Sequence, residues 1–182
     1  VRHEEASRGA EVIGAQLIWL DFDDEFLIDS RETRLRFIEA FRIANPDVVI
    51  CHWREDYNPD HSISGMIVDE CVHMLTVPNI VTASLPGNKI PYVYYMDTIA
   101  GVNFVPELYV DITSVFETKV KMLGQHESQN SWMKDIFGYD MKSFLEIPAR
   151  YRGLQAKCPM AEAFRPSYRW GRTFIKHYLP GS

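Results

Sequence analysis

The chain predicts an α/β fold: a mostly parallel sheet with helices on both faces. Three observations lead there. Helical and strand-like patterns alternate along the sequence, which is how parallel sheets with crossover helices are built. Val48, Val49, Ile50 and Cys51 form an uninterrupted apolar run, as a strand covered on both faces should. That run stops in a polar loop carrying His52, Arg54, Glu55, Asp56, Tyr57, Asn58, Asp60 and His61, and a helix-like segment follows. Open α/β sheets place ligands at such strand ends.

The elements follow in order. Residues 3–13 read as a helix closed by Gly14. Gln16 to Leu20 reads as a short strand. Asp29 and Glu32 have capping-box spacing ahead of a helix with Leu35, Ile38 and Phe41 on one face. Asn45-Pro46 ends it. Asp47 to Cys51 is the next strand and Ser62 to Leu75 the next helix, with Ile63, Met66, Ile67 and Met74 inward. Pro91 to Met96 and Glu107 to Ile112 read as strands. Thr113 or Ser114 can cap a helix striped by Phe116, Val120 and Leu123 and closed by Gly124. Residues 139–156 read as helical although Pro148 should kink them. Residues 161–182 show no clear period. Their aromatics (Phe164, Tyr168, Trp170, Phe174, Tyr178) either cover the core or make a subunit contact in a homo-oligomer.

At 182 residues the chain reads as one domain over 1–182, with apolar content for a full core. A net charge of -6 argues against nucleic acid as a partner, which draws a basic patch. No run of apolar residues is long enough to span a membrane. Cys51, Cys71 and Cys158 form no CxxC pair and fit reduced thiols in a cytoplasmic protein.

Two clusters hold chemistry-bearing residues. In the loop after the second strand, His52, Glu55, Asp56, Asp60 and His61 are donors of the kinds a zinc site uses. The plainer reading has Asp60 capping the helix, with His61 in its first turn. Asp21, Asp23, Asp24 and Glu25 follow the first strand, but neighbours on an extended chain face opposite ways, so at most one or two do specific work. His126 stands near a helix C-terminus, where the dipole favours it. Glu162, in MAEAFR, is either paired with an Arg such as Arg165 or turned into a site. No phosphate-cradling Gly loop or GxSxG elbow is present, which counts against a flavodoxin-like or nucleotide-binding domain.

Taken together, RHEEASRGAEVIGA, LIWLDFDDEFL, PDVVICHWREDYNPDHSISG, YYMDTIAG, YVDITSVFETKVKMLGQHESQ and MAEAFR resemble, in order, segments of the PIG-L/LmbE family of zinc-dependent deacetylases. PDVVI followed by the PDH triplet is the most specific piece. The resemblance implies a Rossmann-like fold and hydrolysis of the N-acetyl group of an N-acetylglucosamine-type sugar conjugate. It implies a zinc held by two His and one Asp, an Asp general base and a PDH-loop group at the oxyanion.

Carried across, His61 matches the zinc ligand and Asp60 the carboxylate beside it, an orienter of a catalytic group. Arg2, in an R-x-x-E pattern, and Asp24 match sugar-contacting positions. Asn58 stands where many members carry His, and it can donate a hydrogen bond but not a proton at neutral pH. Another group would then protonate the leaving amine, either the general base acting twice or His126. The family's opening A-H-P-D-D-E motif, source of the other two zinc ligands and the base, is absent, and DFDDE at 21–25 lacks its His. The resemblance therefore implies a strand, helix and strand ahead of Val1. The alternative is a non-catalytic sugar-binding or interaction member of the same fold.

Overall fold

The polar loop and the strand that feeds it belong to a four-stranded sheet. The computed structural model describes residues 1–169 and 178–181. Its strands are β1 (Val48–Cys51), β2 (Tyr92–Met96), β3 (Leu108–Asp111) and β4 (Ala161–Pro166), in the order β1-β2-β4-β3. β1 and β2 are parallel, with Val48 opposite Tyr92 and Cys51 opposite Tyr95. β2 and β4 are antiparallel, with Tyr94 opposite Pro166 and Met96 opposite Phe164. The α/β class expected from the sequence holds, and the sheet is mixed. The helices are α1 (Arg2–Val12), α2 (Arg31–Ala44), α3 (Pro59–Cys71), α4 (Phe116–Leu123), α5 (Glu127–Phe137) and α6 (Met141–Ala156).

Four expectations need correcting. Gln16–Leu20 has no regular structure. β1 is not covered on both faces, since Ile50 is 48% exposed, and among the described residues it stands at one end of the strand order. A four-residue apolar run reports hydrophobicity, not the number of neighbouring strands. The α2 cap is Ser30, whose hydroxyl accepts from the Thr33 N–H, while Asp29 grips the Arg34 guanidinium through both oxygens at 2.6 and 2.5 Å. β4 occupies 161–166, where the sequence shows no period. Trp170 and Phe174 of the aromatic C-terminal stretch lie outside the described residues.

The chain forms two compact units. The first comprises Val1–Trp19, Tyr109–Glu162 and Gly181. Its core joins Ile112, Phe116 and Ala149, with Val120, Leu145 and Met160 packed around them. Ala149 directly follows Pro148, and α6 continues through that proline. The start of α5 is tied to α1 through Glu5, which is buried. Its carboxylate accepts from the Ser128 N–H at 2.9 Å and from the Ser128 hydroxyl at 2.7 Å. A carboxylate satisfies unpaired amides at a helix N-terminus and meets its positive dipole end.

Those Ser128 bonds hold the Glu5 carboxyl below the usual carboxylate range. A depressed folded-state pKa adds stability above the unfolded value, and that stability is lost as pH falls through the folded one. Glu5→Gln should therefore lower Tm at pH 7, and the gap from the unsubstituted protein should close as thermal melts are taken toward pH 3. A gap that is constant with pH would show that the charge of Glu5 does not matter.

The second unit comprises Leu20–Leu108 with 163–169 and 178–180. Its core joins Ile38 of α2 with Ile67 and Cys71 of α3, flanked by Phe37, Ile63 and Met74. Asn45 ends α2 in the left-handed conformation (φ 42°), ahead of Pro46. Buried Arg42 reaches out of α2 to the carbonyls of Leu75 and Val77, pinning the chain that follows α3. α2 and β1 thus hold the base of α3, whose N-terminus carries the polar loop.

Candidate metal and active site

The loop between β1 and α3 is built around a helix start. Asn58 caps α3, its side-chain oxygen accepting from the His61 N–H at 3.1 Å. Pro59 takes the first helical position, where its missing N–H costs nothing. Asp60, in the first turn, sends both carboxylate oxygens to another loop: it accepts from the Glu25 N–H at 2.7 Å and the Leu27 N–H at 3.0 Å. Asn58 adds a bond from its Nδ2 to the Glu25 carboxylate at 3.2 Å. The 21–27 loop, with Asp21 and Glu25 at positive φ, is thereby fastened to the mouth of α3. Glu25 of that acidic run bonds to the Asn58 amide, and Asp24 is exposed on the same loop.

The carboxylate against the His61 ring is Asp56. Its Oδ2 lies 3.2 Å from His61 Nδ1, and its Oδ1 accepts from the Asn58 N–H at 2.9 Å. The Asp56 side chain is buried and the His61 ring is one-quarter exposed. With Asp56 as acceptor, Nδ1 carries the proton and Nε2 keeps its lone pair, the arrangement that orients metal-binding histidines. On its other side, His61 stacks on His52, with centroids 3.9 Å apart and planes 6° from parallel. Burial, with the neighbouring His61 adding to it, pushes His52 down to about 4, so its imidazole is neutral at pH 7.

Close packing makes this possible. Gly65 of α3 lies directly beneath the His52–Arg54 backbone, and a Cβ there would strike the His52 carbonyl.

His52, Asp56 and His61 are, among the described residues, a group whose ligand atoms all lie within 4.8 Å of one another. Chemically the set suits zinc. An imidazole coordinates in its own ring plane, however, and the two planes here are nearly parallel and well separated. No single point lies in both. The two rings do not grip one ion as they stand. What fits is narrower: His61 offers Nε2 as one ligand with Asp56 holding the ring, and His52 packs against it.

The family resemblance gave Asp60 as an orienter of a catalytic group; its carboxylate holds the 21–27 loop, and the carboxylate in contact with the His61 ring is Asp56, brought back by the turn closed by the Asp56 N–H to Trp53 carbonyl bond. Asp56 and His52 stood among the loop donors without a role of their own. Their signal, a His at the strand end and an Asp two residues before the cap, is faint without the fold.

Arg2 and His126 lie in the first unit. Arg2 opens α1 and is exposed. His126 precedes α5, with its Nε2 about 3.5 Å from where a Gly9 Cβ would stand. Glu162 pairs with Lys119, while Arg165 pairs with Glu107 at 3.0 Å, so the expected Glu162–Arg165 contact is not made.

This α/β scaffold, with its His-Asp pair at a helix mouth, resembles that of PIG-L/LmbE proteins. Residues 1–72, which include the loop and all of α3, match the family model described as PIG-L: GlcNAc-PI de-N-acetylase. The chain is 30% identical over 172 residues to a diacetylchitobiose deacetylase of Thermococcus kodakarensis, covering 90% of this chain and 61% of that protein. It is 29% identical over 127 residues to a 4-oxalmesaconate hydratase of Pseudomonas putida, covering 65% of this chain and 46% of that protein.

Among solved structures, it resembles N,N'-diacetylchitobiose deacetylase from Pyrococcus horikoshii complexed with its inhibitor MPG. The TM-score is 0.76 at 26% identity, over 91% of this chain and 62% of that one. The Pseudomonas putida hydratase GalB shares the fold, with a TM-score of 0.77 at 22% identity over 98% of this chain and 74% of that one. The resemblance to PIG-L/LmbE proteins read from the sequence is thus borne out. The chain spans about three-fifths of the length of the deacetylases it matches. No helix among the described residues is long and apolar enough to cross a membrane.

Proposed function

We propose that this chain forms part of a hydrolase that removes an acetyl group from an N-acetylglucosamine-type sugar conjugate, with zinc as its metal. The observation that carries the reading is the His61–Asp56 pair at the mouth of α3, in a segment that matches the PIG-L model. Likeness to a diacetylchitobiose deacetylase supports the substrate class. When bound, zinc supplies a nucleophile at neutral pH and polarises the amide carbonyl.

The chain's own residues do the rest. His61 presents Nε2 as a ligand, and Asp56 fixes its ring and proton. Asn58 carries two N–H groups on its amide; one goes to Glu25, and the other is the donor we assign to the developing oxyanion. Asp60 fastens the 21–27 loop, which carries Asp24, the residue we assign to contact with the sugar. Arg2 is proposed to contact the sugar and His126 to protonate the leaving amine. The remaining zinc ligands and the general base are not assigned in this chain.

A second reading, a non-catalytic sugar-binding member, is favoured by the parallel stack of His52 on His61, which is not a ready clamp for an ion. One experiment separates them. Metal analysis of the full-length protein, with an acetate-release assay on N-acetylglucosamine conjugates, should give zinc near one per chain and turnover. A full-length protein that neither holds zinc nor releases acetate would sink the hydrolase reading.

A further inference from the structure

Just past the His52 stack, the same loop lines a cavity of about 360 Å3, within the range of small-molecule sites. Trp53 and Arg54 form one side, Asp69 of α3 the floor, and Arg165, Tyr168 and Arg169 the other side. Three arginines converge here in a chain whose net charge is -6.

The arginines are held in place rather than loose on a surface. Asp69, 1% exposed, accepts from the Ser167 hydroxyl and from Arg169 Nε, and Arg54 stands 3.8 Å from the same carboxylate. Arg165 donates from Nε to Glu107 and lies over the Trp53 ring, with its Cζ 4.8 Å from the centroid. Glu70 also faces the group, 3.7 Å from Arg169. Arg54 meets Asp69 through Nη1 and Arg165 meets Glu107 through Nε, and a guanidinium carries five N–H donors in a planar fork. Three carboxylates, Asp69, Glu70 and Glu107, balance the three guanidinium charges, so what the cavity offers an anion is directed N–H donors rather than net charge. Fixed guanidinium forks over aromatic walls suit a planar or tetrahedral oxyanion.

We propose that this cavity binds the carboxylate or phosphate group of a small-molecule ligand, with Arg54 and Arg165 as donors and Asp69 positioning Arg54 and Arg169. That the ligand is the substrate, an acidic sugar conjugate, rests on the hydrolase reading; the affinity for an oxyanion does not.

The test uses the full-length protein freed of metal by chelation, so that an anion cannot bind at zinc. Inorganic phosphate and malonate are titrated separately by calorimetry. Saturable binding of one or both below about 10 mM is expected, and Arg54→Gln and Arg165→Gln should each weaken it at least about tenfold with unchanged circular dichroism. Arg165→Lys, which keeps the charge but loses the fork, should also weaken it and serves where the Gln variant does not fold. Preference for phosphate marks a phosphate ester as the ligand, and preference for malonate a carboxylate. No binding of either probe, or binding that survives all three substitutions, overturns the proposal. Zinc content of the same variants is read in parallel: anion binding in a protein that never takes up zinc would remove the hydrolase reading and leave this site standing.

Discussion

His61→Ala in the full-length protein is expected to lose its zinc on dialysis and to release no measurable acetate, while keeping its helical content. Three features set this expectation. The ring offers Nε2 while Asp56 occupies Nδ1, so the side chain is oriented as a ligand rather than sunk in the core. The helix cap uses the His61 backbone N–H, which Ala retains. The ring is partly exposed, so its loss leaves little buried void. Asp56→Asn gives the graded companion: it keeps the shape but weakens the hold on the Nδ1 proton, and metal affinity should fall about 10–100-fold, as for other orienting partners. Zinc per chain after dialysis, measured for both variants, decides the matter. A His61→Ala protein with stoichiometric zinc would remove this residue from the site.

Gly65→Ala should damage the loop from behind. In most helices this change gains about 1 kcal/mol of propensity. Here the new methyl meets the His52 carbonyl, a backbone atom that no rotamer change can move away. Overpacking costs about 1–3 kcal/mol and sometimes more. With the backbone clash taken at the upper end of that cost, about 3 kcal/mol against about 1 gained, the net expectation is a loss of about 2 kcal/mol, read as a lower urea midpoint with an unchanged slope. The substitution should also push His52 off His61, so zinc retention should fall although no ligand has been touched. An unchanged midpoint would show that the loop is free to step aside.

Much of the second unit was legible because its signals are local. β1 is a run of four apolar residues, α2 and α3 carry apolar stripes, and Asn58-Pro59 announces a helix start by turn chemistry alone. What stayed hidden depends on neighbours. α5 escaped notice because it buries none of its residues, so it shows no inward stripe. β4 was obscured because Glu162, Arg165 and the closing Pro166 break up its apolar pattern. The expected contact of Glu162 with Arg165 fails for a geometric reason: three residues apart is one face of a helix but opposite faces of a strand. Each instead finds a partner outside the strand, Lys119 for Glu162 and Glu107 for Arg165. Asp56 stood among the loop donors without a role of its own, because only the turn between Trp53 and Asp56 brings its carboxylate to the His61 ring.

The marginal place of β1 in the sheet carries a practical consequence. At four residues, β1 stands at one end of the strand order among the described residues, and so short an edge gives another chain little backbone to pair with.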